Sequence, residues 1–325
     1  MDGAVEVTHR IFPYEDPEFI ISRKDISSLL THNDAFFLDC DGVLWQGDRL
    51  FHGIKETLDF LASLQKKTFF FTNNSTKSRK QYLKKFHSLG LNNVTYDQIY
   101  GSAFAAAAYL DSIQFDRSKS IYVIGEEGIC KELEEFGFSY VWSKEHEGRT
   151  LNGDTLREMP IISNMGAVIV GWSGSFNTYM LAFAALQLQN NRDCIIVSTN
   201  QDSADTTEGG RFIPGAACMF TPFQIMMETI GRKRDDYVNV GKPEQFMLST
   251  AIKTHSFERE RCCMVGDRLD TDIEFGKRGG LNTLLTLTGI TTMADVKRKD
   301  NTIVPDHVIR SFADLCQGMN ASSLQ

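Results

Sequence analysis

Short apolar runs, each ending in a polar loop and followed by a helical pattern, alternate through this chain. The sharpest is Phe36-Phe37-Leu38-Asp39-Cys40-Asp41-Gly42-Val43, where a strand-like run over 36–39 leads into two aspartates one residue apart. Ile54, Leu58 and Leu61 then recur at helical spacing. A second apolar run covers 68–71, and a helix carrying Tyr82 and Phe86 follows. Repeated strand–loop–helix units predict an α/β fold on a doubly wound parallel sheet with right-handed crossovers. Open sheets of this kind place ligands at the C-terminal ends of their strands, where Asp39 and Asp41 fall.

The alternation continues with a strand at 121–124, a helix around 129–136, a strand at 167–170, a helix over 179–188 and a strand at 194–198. A helix near 219–230 puts Met219, Phe223, Met226 and Ile230 on one face, a stripe that reads as core packing. Runs at 237–240, 263–265 and 283–287 read as further strands, each with a loop at its C-terminal end. The stretch between Asp41 and Thr72 is filled by one helix and one strand, whereas that between Asn74 and Lys242 holds an α/β block of its own. The expected organisation is an N-terminal extension, 1–33, with a short helix near 23–30. A discontinuous core, 34–105 and 237–325, then carries an inserted α/β cap, 106–236.

Composition excludes several classes. The chain has 325 residues, 42% of them hydrophobic and 23% charged, enough for a well-buried core. A net charge of -8 argues against nucleic acid as a partner. The basic run Lys77, Arg79, Lys80, Lys84, Lys85 shares a helical pattern with Tyr82, Leu83, Phe86 and Leu89, and reads as a solvated helix face. No run approaches the roughly 20 apolar residues of a membrane span, and Met1-Asp2-Gly3 does not open a signal peptide. The seven cysteines include no CxxC, and no histidine pair has zinc-ligand spacing. The odd cysteine count points to a reducing, cytoplasmic location.

Four strand ends carry polar chemistry. Asp39 and Asp41 repel one another unless a cation sits between them, and Mg²⁺ is the natural partner for such hard oxygens. Thr72-Asn73-Asn74 precedes a helix and reads as an anion site, or as an N-cap supplied by Asn74, Ser75 or Thr76. Gly241-Lys242-Pro243 fixes a lysine on a constrained backbone. Gly266-Asp267-Arg268-Leu269-Asp270-Thr271-Asp272 adds further carboxylates. Together they fit phosphoryl transfer: a carboxylate nucleophile, a second carboxyl as general acid and base, and positive charge with N–H donors around the phosphoryl oxygens.

In order and wording, the four motifs resemble those of the haloacid dehalogenase superfamily of phosphohydrolases. The longer runs 38–45 and 72–79, and Cys262-Cys263-Met264-Val265-Gly266-Asp267-Arg268, resemble the group of 4-nitrophenylphosphatases, phosphoglycolate phosphatases and pyridoxal phosphatases. The resemblance covers about 33–315. It implies a Rossmann-like core and a Mg²⁺-dependent phosphomonoesterase acting on small phosphorylated metabolites, 2-phosphoglycolate first among them. Pyridoxal phosphatase or broad metabolite-repair activity is the alternative, and a non-catalytic scaffold is the alternative outside the class. By resemblance Asp39 is the nucleophile and Asp41 the acid/base. Mg²⁺ is held by Asp39, the backbone carbonyl of Asp41 and Asp267, with Asp272 behind them. Thr72 and Asn74 touch the phosphate, Asn73 contributes through its backbone, and Lys242 neutralises it. A homodimer through the cap is also implied.

The loop 199–215 resembles the specificity loop of the same group. It carries Asp202, Asp205 and Glu208 against one Arg211. Asp205 stands where pyridoxal phosphatases resemble one another in having His. Asp205 and Arg211 are expected to meet the leaving group; a substrate that carries a carboxylate requires the acids to point outward, or to be offset by Arg211 or another donor.

Overall fold

The structure, a computed structural model, describes residues 21–206 and 211–316. Glu208 and the first twenty residues of the expected extension lie outside the described residues. The first sheet has six strands, in the spatial order His307–Ile309, Asn282–Thr286, Cys262–Gly266, Ala35–Leu38, Lys67–Thr72, Ile99–Gly101. Every neighbouring pair is parallel. The chain steps outwards from Ala35–Leu38 to one edge and later from Cys262–Gly266 to the other. The strand order therefore reverses between those two central strands. This is the doubly wound arrangement, and its ligand crevice lies at that reversal.

The central strands are apolar throughout because both faces are covered. Phe37, Phe69 and Phe71 pack on one face, and Phe36, Leu38 and Phe70 on the other. The helix Arg23–His32, expected in the N-terminal extension, packs on this second face through Ile26, Leu29 and Leu30.

A second sheet has five parallel strands, in the order Val238–Asn239, Ile195–Ser198, Met165–Val170, Ser120–Ile124, Tyr140–Trp142. The expectation that 237–240 adds a strand to the core is corrected. Val238 and Asn239 pair with Val197 and Ser198 at the edge of this second sheet. Three strands carried too little pattern to predict: Ile99–Gly101, Tyr140–Trp142 and His307–Ile309, each only three residues long. Two hairpins, Trp45–Gln46 with Arg49–Leu50 and Ala204–Thr206 with Phe212–Pro214, were also not anticipated.

The two sheets share one apolar cluster. It takes in Phe37 and Phe71 from the first sheet, Ile121, Val123, Ile169 and Val197 from the second, and Ala103 and Ala105–Ala108 between them in sequence. Those alanines belong to the helix Ser102–Ser112. Small side chains let this helix pack closely against the helices Glu127–Glu135 and Phe246–His255.

Three local expectations are corrected. The helix after the 72–76 loop starts at Arg79, and its N-cap is Ser78, which forms a capping box with Gln81. Asn74, Ser75 and Thr76 therefore do not cap it. The helix Ala216–Met227 buries Ala216, Phe220, Phe223 and Met227; of the expected stripe, Phe223 is in this core and Met219 and Ile230 pack partly buried against it, whereas Met226 does not join it. The basic run is not simply solvated. The Arg79 guanidinium pairs with buried Glu132 at 3.0 Å and stacks 3.8 Å from the Phe104 ring centre, while Lys85 lies 4.4 Å over Trp45.

Ala106→Leu forces extra methylenes into the shared cluster and is expected to cost about 1–3 kcal/mol. Urea unfolding should show a lower midpoint with an unchanged slope.

Candidate active site

Asp39 follows Ala35–Leu38 and Asp267 follows Cys262–Gly266, so the reversal in strand order sets these two carboxylates side by side. Thr72 ends the next strand on the other flank. Lys242 arrives from elsewhere, on the segment that leaves the edge strand Val238–Asn239 of the second sheet. Its ammonium donates to Asp39 Oδ1 at 2.8 Å, to Asp272 Oδ1 at 2.6 Å and to the Phe71 carbonyl at 2.8 Å. The residue is 1% exposed. Burial by itself would lower its pKa, but Asp272 and Asp39 outweigh burial and hold it above the ordinary lysine value.

Asp272 is fixed from behind. One turn of π-helix, Leu269–Ile273, brings its Oδ2 back to accept from the backbone N–H groups of Asp267 and Arg268, each at 3.1 Å. Such turns recur at functional sites because they redirect one side chain. Asp267 Oδ2 accepts from the Ile290 N–H at 2.7 Å. Burial, then repulsion by Asp272, pushes Asp267 up to about 7. Burial also raises Asp39 well above the usual carboxylate range; Lys242 opposes this, and Asp272 and Asp267 add to it.

Asp41 lines the same cleft but has its own partners. The Trp45 indole N–H donates to Oδ1 at 2.9 Å, and the Asn74 amide lies 3.5 Å from Oδ2. Within the 72–76 loop, Thr72 Oγ1 accepts from the Asn74 N–H at 3.1 Å, and Asn74 Oδ1 accepts from the Thr76 N–H at 3.0 Å. Asn73 proves to be a joint, with its side chain as fully engaged as its backbone. Its amide accepts from Lys242 N–H at 2.8 Å and donates to the Lys242 carbonyl and to Asp202, both at 3.0 Å. Its own carbonyl accepts from Asn200 and Ser102.

The second body forms the opposite wall, through Trp172, Asn200, Asp202, Ala204, Asp205 and Ile213. Of the two loop residues expected at the leaving group, Asp205 lines the cleft, whereas Arg211 is exposed and lies outside the lining. The guanidinium that does line it is Arg268, which was missed. Arg268 pairs with Asp270 and donates to the Ala204 carbonyl at 2.9 Å, tying the core to the hairpin opposite. Asp202, one of the three loop acids weighed against the leaving group, also lines the cleft. Burial raises it to about 6, with Arg268 opposing. Its place in the Thr-Asn-x-Asp start of the loop was the available signal.

A family model of haloacid dehalogenase-like hydrolases matches residues 36–139, and a second, of HAD-like hydrolases, matches 239–315. The chain is 40% identical over 291 residues to phosphoglycolate phosphatase 1A, chloroplastic, of Arabidopsis thaliana, covering 90% of this chain and 78% of that one. It is 33% identical to the 4-nitrophenylphosphatase of Schizosaccharomyces pombe, covering 91% and 97%. The solved p-nitrophenyl phosphatase of Archaeoglobus fulgidus superposes with a TM-score of 0.71 at 27% identity, covering 87% and 98%. The chain belongs to the haloacid dehalogenase-like hydrolases. It is a phosphatase, a phosphoric monoester hydrolase.

In this hydrolase, ligand oxygens of Asp39, Asp267 and Asp272 lie within 4.8 Å of one another. Three carboxylates against the single ammonium of Lys242 leave an excess of buried negative charge that a hard divalent cation balances. The space beside Asp267 is kept open by two glycines. A Cβ on Gly42, whose φ is +84°, would lie 2.6 Å from Asp267 Oδ2, and one on Gly289 would lie 1.8 Å from it. Donor type and clearance both fit such an ion. The Asp41 carboxylate lies outside this cluster.

Lys242→Met removes the charge at similar volume and leaves Asp39 and Asp272 facing each other. A cost of about 3–5 kcal/mol at neutral pH is expected. A carboxyl whose pKa is higher folded than unfolded binds its proton more tightly when folded, so stability falls as pH rises. Urea unfolding in the presence of a chelator should therefore show a larger deficit at pH 8 than at pH 5.

Proposed function

We propose that this phosphatase is a Mg²⁺-dependent phosphomonoesterase that works through an aspartyl-phosphate on Asp39. The observation that carries the reading is the pairing of Asp39 with Lys242 at the reversal in strand order, with the separately held Asp41 in the same cleft. Asp39 attacks phosphorus while Asp41 protonates the departing oxygen; water then attacks the phosphoaspartate and gives its proton to Asp41. Thr72 and Asn74 line the cleft beside Asp39, where their polar groups can meet phosphoryl oxygens. Lys242 offsets charge on the nucleophile. Asp39, Asp267 and the Asp41 carbonyl would hold Mg²⁺, which when bound would supply Lewis-acid stabilisation of the phosphoryl oxygens. Asp272 holds Lys242 and the backbone of 267–268 in place.

The substrates are small phosphorylated metabolites, and 2-phosphoglycolate is our first choice. Support comes from the relatives named phosphoglycolate phosphatase and from Arg268, a cation that lines the cleft with Asp202 and Asp205, acids that would otherwise repel a carboxylate. Relatives named glycerol-3-phosphate phosphatase, such as the human protein at 34% identity, make a screen over phosphometabolites ranked by kcat/KM the deciding measurement.

Two tests follow. Asp39→Asn should lower kcat by about a thousandfold or more; after incubation with labelled substrate, acid-quenched wild-type protein should carry label on Asp39 alone, and label on another residue would end the assignment. Arg268→Gln should lower kcat/KM for phosphoglycolate by about tenfold more than for 4-nitrophenyl phosphate, since a lost charged contact is worth about 1.5–3 kcal/mol. Arg211→Ala should change both substrates by the same factor, since Arg211 lies outside the cleft lining. The reverse pattern would return the carboxylate contact to Arg211.

A further inference from the structure

We infer that Trp45 is a positioning residue for the acid/base step: its indole N–H fixes which oxygen of Asp41 exchanges the proton. The inference rests on reading Asp41 as the general acid.

The geometry is tightly determined. Trp45 is fully buried at the start of the hairpin that follows Asp41. Its carbonyl accepts from the Gly42 N–H at 2.8 Å, which closes the turn between the two residues. The ring packs edge-on against Phe86, with centroids 4.9 Å apart. Lys85 covers the ring from 4.4 Å and anchors its own ammonium on the Gly47 carbonyl at 2.7 Å. The indole therefore has little freedom, and its N–H meets Asp41 Oδ1 at 2.9 Å.

An indole nitrogen donates and never accepts. In a neutral carboxyl group the carbonyl oxygen is the better acceptor, so the N–H holds Oδ1 as the carbonyl and leaves the proton on Oδ2. The other donor, the Asn74 side-chain amide, reaches Oδ2 only at 3.5 Å, against 2.9 Å for the indole on Oδ1, so the shorter bond decides. When Asp39 attacks, the bond from phosphorus to the leaving oxygen breaks and its electron pair stays on that oxygen. The oxygen takes the Oδ2 proton, and Asp41 is left as a carboxylate. In the second step water bonds to phosphorus, its proton returns to Oδ2, and the bond to Asp39 breaks with its electron pair going back to Asp39. The cation over the indole face draws electron density from the ring and strengthens the donor.

Trp45→Phe keeps the ring and deletes the N–H. The kcat/KM ratio of 4-nitrophenyl phosphate to an alkyl phosphate such as glycerol 3-phosphate should rise about tenfold, because only the poor leaving group needs the positioned proton. Competitive inhibition by inorganic phosphate should be unchanged. An equal loss for both substrates, or no change in the ratio, overturns the inference. A second readout needs no change at Trp45. The chain has three tryptophans, and the indoles of Trp142 and Trp172 donate to the carbonyls of Gly125 and Pro214. In nitrogen-15 labelled protein, Asp41→Asn should move the Trp45 indole N–H resonance upfield and leave the other two in place, since a carboxylate is the stronger acceptor. A fixed Trp45 resonance overturns the inference. Kinetics of Asp41→Asn separate the two layers. If that variant does not distinguish the two leaving groups, the acid assignment falls and this inference falls with it. If it does and Trp45→Phe does not, only the role of Trp45 falls.

Discussion

One buried ammonium organises this molecule. Lys242 is surrounded by Asp39, Asp272 and the Phe71 carbonyl, and none of those groups tolerates its removal from water without the others. Its backbone is held as firmly as its head, by both ends of the Asn73 amide. Because Lys242 stands on the segment leaving the second sheet, its placement over Asp39 is also a statement about how the two sheets meet. A shift of either sheet would pull the ammonium away from the three oxygens that balance its burial.

The seam between the sheets has two characters. At the back it is apolar, with the alanines of Ser102–Ser112 letting side chains from both sheets merge into one cluster. A largely buried pair, Arg79 with Glu132, crosses it beside the helix that follows the 72–76 loop. At the mouth it is polar: Asn73 reaches Asp202, and Arg268 reaches the Ala204 carbonyl. An apolar rear joint with polar contacts at the opening keeps the cleft wall close while leaving its lining wet enough for charged metabolites.

The carboxylates are sorted by what holds them. Asp272 is committed to backbone N–H groups and to Lys242, Asp267 stands in a space cleared by glycines, and Asp41 is turned aside by Trp45. Asp39 alone combines a cationic partner with a place at the reversal in strand order. Similar groups thus acquire different surroundings from their hydrogen bonds, which gives one short cleft carboxylates of different character.

Much of this was legible in the linear sequence because its causes are local. Phe36, Phe37 and Leu38 mark a strand covered on both faces, and the chain can carry Asp39 nowhere but to its C-terminal end. The same logic placed Thr72 and Asp267. Other features were illegible because they depend on partners far along the chain. Strands of three residues, such as Ile99–Gly101, have no periodicity to read. The run at 237–240 looks like any parallel strand, and only the free edge beside Ile195–Ser198 decides which sheet receives it. Arg79 looked solvated until the fold supplied Glu132. Arg211 and Arg268 look alike as cations in polar loops, yet of the two only Arg268 lines the cleft. The sequence by itself determined which residues could do the chemistry and at which strand ends they stand. The tertiary structure decided which of them meet, because burial, charge pairing and sheet edges are properties of neighbours in space.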